Sequence, residues 1–217
     1  MTPPQVVTVG DACLSIVFEE KIDPRINARC VSLAGDVERR HLAGVRDVVP
    51  AYHTVSVYFD PRKINRSVLQ TELETAINTE VVERPGIGAD PVHISVTYGG
   101  EGGPDLASVA AFASCSEEDV IRLHTANVYR VYMLGFLPGF AYLGSVDPRI
   151  AMPRLGTPRL RVPAGSVGIA GAQTGIYPSE TPGGWRIIGR TPFELFDPTR
   201  DEPSMLKVGD RVKFVAA

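Results

Sequence analysis

Ten prolines and twelve glycines fall between Gly135 and Gly209, and this density restricts the fold more than any other feature of the chain. Proline removes a backbone donor and clashes with the preceding helical turn, while glycine weakens a helix, so no long helix survives such a stretch. From about Tyr129 onward only short apolar runs stand between the breaks: RVYML, RLRVP, SVGIAG, GWRIIG, FELF and RVKFV. Each has the length and composition of a strand. So many short strands would leave many unpaired edges in an open sheet, which predicts an all-β closed barrel.

The first hundred residues follow another pattern. CLSIVFE (13–19) reads as a strand. Asp23 and Pro24 then supply an N-cap and an N1 proline for a helix to about Arg40, with Ile26, Cys30, Leu33 and Val37 along one face. VRDVVPA and TVSVYFD form two strands joined at Tyr52 and His53. NRSVLQTELETAINT forms a second helix capped by Asn65, with Val68, Leu69, Leu73, Ala76 and Ile77 turned inward, and PVHISVTYG closes the set as a strand. The order β, α, β, β, α, β predicts a ferredoxin-like, split βαβ domain of the α+β class over residues 1–98: four strands with two helices on one face. The glycine-rich GGEGGPDL (99–106) marks the expected boundary. Residues 99–217 then form the barrel domain, led by two short helices. The second helix opens on a capping box of Ser116 and Asp119 and carries Val120, Ile121, His124 and Val128 on one face.

Charge and motifs exclude several functions. A net charge of −3, with neither sign clustered, gives no footprint for nucleic acid or for an anionic membrane. No stretch approaches the ~20 apolar residues of a membrane span, and the N-terminus lacks a signal-peptide pattern, so a cytoplasmic location is expected. Cys13, Cys30 and Cys115 are widely spaced and odd in number, which suits buried thiols better than a disulfide framework or a zinc site. There is no phosphate-binding G-x-x-x-x-G-K-[ST], no dinucleotide fingerprint, no G-x-S-x-G elbow and no H-E-x-x-H. His41, His53, His93 and His124 lack metal-ligand spacing, and no metal is expected.

The segment YMLGFLPGFAYLG (132–144) mixes aromatics with glycine and proline. Gly135 and Gly139 are expected to turn the chain, leaving Phe136, Phe140 and Tyr142 on a stiff loop. Such a loop is equally a packed aromatic corner or the wall of a ligand pocket. His124, just before it, is either a satisfied core histidine or a cleft residue. Downstream, Arg159, Arg161, Ser166, Gln173, Thr174, Tyr177, Trp185 and Arg190 add forks for anions and neutral hydrogen bonds. If these groups form one cleft, His124 and Arg190 are the candidate catalytic residues. Tyr132, Phe136, Phe140, Arg161, Gln173, Tyr177 and Trp185 are then the candidate substrate contacts.

The stretches HTANVYRVYMLGFLPGFAYLGSVDPRIAMPR, VPAGSVGIAGAQTGIYPSETPGGWRIIGRTP and LFDP closely resemble the family of allophanate hydrolase subunit 1 and KipI-like proteins, which includes the B subunits (PxpB) of prokaryotic 5-oxoprolinases. GDACLSIVFEEKID, VVPAYHTVSVYFDP and YGGEGGPDL extend the resemblance over almost the whole chain. It implies an N-terminal α+β domain and a C-terminal cyclophilin-like β-barrel. It also implies two partners, a related PxpC-like protein and a PxpA-like protein, which together with the B component open 5-oxoproline to glutamate at the expense of ATP. With no recognisable nucleotide motif in this chain, the ATP site is expected to be either shared with the partners or of an unorthodox kind. Two other activities are compatible with it: inhibition of a sporulation histidine kinase, as by KipI, and one half of a biotin-dependent carboxyltransferase of the urea carboxylase type.

Overall fold

A computed structural model describes residues 3–78 and 90–217. The chain divides into two compact units, Met1–Ala89 and Asp90–Ala217.

In the first unit the order is β1 (Gln5–Thr8), β2 (Cys13–Val17), α1 (Pro24–Arg39), β3 (Val45–Pro50), β4 (Thr54–Phe59) and α2 (Arg66–Asn78). The strands form one antiparallel sheet in the order β1-β2-β4-β3. Helix α1 begins as its sequence dictates: the Asp23 carboxylate accepts from the backbone N–H groups of Arg25 and Ile26, and Pro24 occupies the first turn. Asn65 caps α2 through the Ser67 N–H at 2.9 Å. The expected last residue of α2, Thr79, lies outside the described residues. Leu14, Ile16, Val55, Val57 and Phe59 from the sheet pack with Ile26, Cys30, Leu33 and Val37 of α1 and Leu69, Leu73 and Ala76 of α2. Each fully buried aliphatic or aromatic side chain contributes about 1.5–3 kcal/mol. Val68 departs from expectation, being 54% exposed. Cys13 and Cys30 are buried, as expected, whereas Cys115 is half-buried.

The expected split βαβ order fails at both ends. The fourth strand of the sheet is β1, short and bounded by a turn, which strand patterning did not single out. The strand read as closing the first domain, β5 (Val92–Tyr98), belongs to the second unit. It pairs antiparallel with β12 (Arg186–Arg190) and parallel with β13 (Arg211–Ala216). The division consequently falls at Ala89/Asp90, not at 98/99.

The second unit is a closed barrel, as the sequence predicts. Its seven strands run β10-β7-β6-β13-β5-β12-β9 and return to β10, where β6 is Tyr129–Leu134, β7 Ala141–Gly144, β9 Ser166–Ala170 and β10 Gln173–Ile176. A separate ribbon pairs β8 (Arg159–Val162) with β11 (Thr181–Gly183). Alternation aims Ile94 and Val96 of β5, and Val212 and Phe214 of β13, into a core shared with Tyr129, Val131, Leu143, Val167, Ile169 and Ile188. Helix α3 (Leu106–Ala113) and helix α4 (Glu117–Ala126) come between β5 and β6, α4 opening with the expected capping box. Leu123, not Val128, completes its buried face; Val128 lies past the helix end and is 42% exposed.

Because β5 joins β12 to β13, the barrel cannot close without it. A fragment beginning at Asp90 is expected to show a cooperative urea melt with strand-rich circular dichroism. One beginning at Gly99 is expected to show neither. Equal stability of the two fragments would contradict the assignment of β5.

Candidate functional site

His124 lies in the barrel core, fully buried. Its Nδ1 is 2.7 Å from the Tyr98 hydroxyl and its Nε2 is 2.9 Å from Oγ1 of Thr174. The Thr174 hydroxyl donates to the Gly168 carbonyl at 3.0 Å. That direction fixes the others: Nε2–H donates to Thr174, and Nδ1 accepts from Tyr98. The ring also stacks on Phe214 with centroids 4.6 Å apart, and burial pushes its pKa down to about 3. The expected catalytic role is therefore corrected: both nitrogens are committed, and no substrate reaches either.

A pH signature follows. The folded-state pKa lies below the ordinary 6.5, so the unfolded chain binds the proton more readily. The stability His124 contributes is complete above about pH 6.5 and is lost as the pH falls toward about 3. A His124→Gln variant is expected to have a flatter dependence of urea midpoint on pH across that window. Parallel curves would mean that the ring is not buried.

The aromatic segment proves to be a packed corner. Phe140 is 1% exposed and meets Tyr142, Tyr177 and Trp185 edge-on, at centroid distances of 4.8, 5.3 and 5.5 Å. Val162, Ala170 and Ile187 belong to the same cluster. Such edge-to-face pairs add about 0.5–1.5 kcal/mol beyond area burial. The backbone admits the rings because glycine stands opposite them: a Cβ on Gly183 would lie 2.5 Å from the Tyr177 hydroxyl. Tyr132 is buried, with its ring beside Gly144. At the loop, Gly139 takes a positive φ as expected, but its partner there is Phe136, at φ 72, and not Gly135. Phe136 alone among the candidate aromatics is exposed, at 59%.

The polar candidates gather elsewhere. Arg161 and Arg190 line a cleft of about 170 Å³ together with Arg159, Glu101, Ser166 and Ile187. Gln173, half-buried at the start of β10, is not among its lining residues. The single cleft expected of Tyr132, Phe140, Gln173, Tyr177, Trp185 and Arg190 thus divides into an aromatic core and an arginine cleft. Val162 and Ile187 belong to both, so the aromatic cluster is the floor of the cleft.

Three segments build the cleft around β12, which carries Ile187 and Arg190. The stretch read as the domain boundary contains a 3₁₀ turn at Gly100–Gly102 and lies against β12: Gly99 N–H donates to Ile188 O at 3.0 Å and Asp105 N–H to Ile187 O at 2.8 Å. A Cβ on Gly103 would lie 2.2 Å from the Ile188 carbonyl oxygen, so glycine is there for close approach rather than for flexibility. The second segment, Pro163–Ser166, turns at Gly165 (φ 78) against Thr191. The third is β8, which carries Arg159 and Arg161.

Asp105, missed by sequence reasoning, organises this geometry. Buried to 6% exposure, it accepts from Arg159 Nη2 at 2.8 Å with one oxygen and from the Ile187 N–H at 2.7 Å with the other. Arg161 forms a bidentate, exposed pair with Glu180. Arg190 donates from Nε to Ala164 O at 3.0 Å. Arg159 and Arg161 are thus paired with carboxylates and Glu101 adds a third at the lining, while Arg190 has no carboxylate partner among the described residues and is the guanidinium most open to a bound anion. Among the described residues, no group of three or more His, Cys, Asp or Glu is placed to hold a metal ion. Among the same residues, no helix is long and apolar enough to cross a membrane.

The family model for the carboxyltransferase domain, subdomain C and D, matches residues 4–206. The chain belongs to that family. A relative from Bacillus subtilis, named as the B subunit of 5-oxoprolinase, is 41% identical over 97% of this chain and 92% of its own length. The crystal structure of TTHA0988 matches 94% of this chain at 39% identity and a TM-score of 0.83, and this chain spans 40% of that one. Urea amidolyase of Kluyveromyces lactis shares the fold, with a TM-score of 0.78 at 21% identity over 99% of this chain and 15% of that chain.

Proposed function

We propose that this chain is the B component of a multi-subunit, ATP-dependent 5-oxoprolinase that opens 5-oxo-L-proline to L-glutamate with a related PxpC-like partner and a PxpA-like partner. The observation that carries the reading is the similarity to the 5-oxoprolinase B subunit of Bacillus subtilis over 92% of that protein. The chemistry calls for several components. A lactam is a resonance-stabilised amide; phosphorylation of its oxygen by ATP makes the ring carbon electrophilic, water adds there, the protonated ring nitrogen leaves and so opens the ring, and a second water hydrolyses the acyl phosphate to the free carboxylate and phosphate. Arginines and oriented donors stabilise the negative charge that develops. In this chain Arg159, Arg161 and Arg190 offer donors to an anion from the lining of one cleft, and Asp105 fixes Arg159 in place. The cleft, at about 170 Å³, is below the ~300–1,000 Å³ typical of sites for drug-sized ligands. It is too small for a whole nucleotide, in keeping with an ATP site shared with the partner proteins.

The exposed Phe136 and Leu160 side chains, at 59% and 86%, favour one second reading, a protein-binding surface such as a KipI-like kinase inhibitor would use. In the enzyme reading the same side chains meet a partner of the complex. Co-expression separates the two. This chain alone is expected to release no glutamate from 5-oxoproline and to show no appreciable ATPase activity, whereas the assembly with both partners is expected to turn over with ATP.

A further inference from the structure

We infer that the cleft framed by β8, β12 and the Gly100–Gly102 turn binds a small monocarboxylate of amino-acid size, gripped by Arg159, Arg161 and Arg190, with Glu101 meeting an N–H of the ligand. This deepens the proposed function by naming the ligand class of the same site, and it rests on that reading only for the choice of 5-oxoproline as the probe.

Each arginine is arranged to receive an oxyanion rather than merely to be solvated. Arg159 is held by one end only: Nη2 sits on Asp105, while Nη1 is shielded from solvent and has no hydrogen-bond partner among the described residues. A shielded donor without an acceptor is costly. A carboxylate seated against Arg159 supplies the acceptor after a small turn of the guanidinium. Arg190 is tethered through Nε to the Ala164 carbonyl, so its two terminal nitrogens remain for a ligand. The partner of Arg161 is Glu180, and both side chains are more than half exposed, at 77% and 51%. Exposed pairs of this kind contribute little, so a ligand carboxylate displaces Glu180 at low cost.

The frame is preformed. The Gly103 and Gly165 backbones lie so close to Ile188 O and Thr191 O that a Cβ on either would sit 2.2 Å from the oxygen. The floor under the arginines is the apolar pair Val162 and Ile187. Charge and size then select the ligand. A phosphate dianion would meet the Glu101 carboxylate lining the same cleft, whereas a single carboxylate satisfies the arginines and leaves Glu101 to accept an N–H. The cleft volume of about 170 Å³ suits a ligand the size of an amino acid.

Calorimetric titration of the purified full chain provides the test, with 5-oxo-L-proline, its neutral carboxamide and inorganic phosphate as probes. The expected result is saturable one-site binding of 5-oxoproline, with affinity at least about 10-fold lower for the carboxamide and for the Arg190→Gln variant, the loss of one charged hydrogen bond. Arg190 is exposed, so the variant should keep the melting temperature of the parent. Absence of saturable binding, equal binding of the carboxamide, or indifference to Arg190→Gln would overturn the inference. So would phosphate displacing 5-oxoproline at the lower concentration, which would assign the cleft to a phosphoryl group. Arginine-dependent binding beside an inactive reconstituted complex would leave the carboxylate site standing and remove the oxoprolinase reading. An active complex without such binding would do the reverse.

Discussion

Replacing Phe140 with alanine is expected to destabilise the barrel unit by about 3–5 kcal/mol, the cost of emptying a fully packed aromatic site. Its ring is 1% exposed and central to a cluster in which Tyr142, Tyr177 and Trp185 all stand edge-on to it. Little can collapse into the gap. The cluster rests on backbone at Gly175, where a Cβ would lie 2.9 Å from Ala141 O and 3.3 Å from the Phe140 ring. The reporter is built in, since Trp185 is the one tryptophan of the chain and its ring centroid lies 5.5 Å from that of Phe140. A urea melt followed by tryptophan emission should show the lowered midpoint directly. A cost below about 1 kcal/mol would mean that the ring borders open space, as a pocket wall would.

What the sequence made legible was local. The caps at Asp23 and Ser116 and the inward face of α1 depend on residues within one or two turns of each other, and the structure contains them. Density of glycine and proline was enough to exclude long helices, and the unpaired edges of the remaining short strands pointed to a closed barrel. Pairing partners were not legible. The strand Val92–Tyr98 alternates cleanly whichever sheet it joins, and only its partner β13, far along the chain, decides the question. For the same reason GGEGGPDL looked like a boundary between domains: a glycine that allows flexibility and a glycine that allows another strand's carbonyl to approach are identical in one dimension. The site shows the limit most clearly. Arg161 and Arg190 were found by residue type and share the cleft. The ion pair of Arg159 with Asp105 spans 54 positions, and nothing near either residue announces it. His124 was misplaced because an apolar helix face holds a satisfied histidine and a cleft histidine equally well, and its partners Tyr98 and Thr174 come from distant strands.

The second large effect is expected at Arg190. Replacing it with alanine should leave the fold nearly intact, since the side chain is exposed and its Nε bonds only a loop carbonyl. The reconstituted complex should nevertheless lose activity by ~10 to 1000-fold, the range for removal of one oriented donor from developing negative charge. Phe140→Ala should do the opposite, lowering the melting point while the surviving folded enzyme keeps most of its specific activity.

Glutamate release from 5-oxoproline by the co-expressed complex, with this chain as its B component beside PxpA-like and PxpC-like partners, tests the central claim most directly. The account predicts release that requires ATP, stops when this chain is left out, and falls by at least about 10-fold with Arg190→Ala. Robust release by this chain alone, or undiminished ATP-dependent release by its partners without it, would contradict the account.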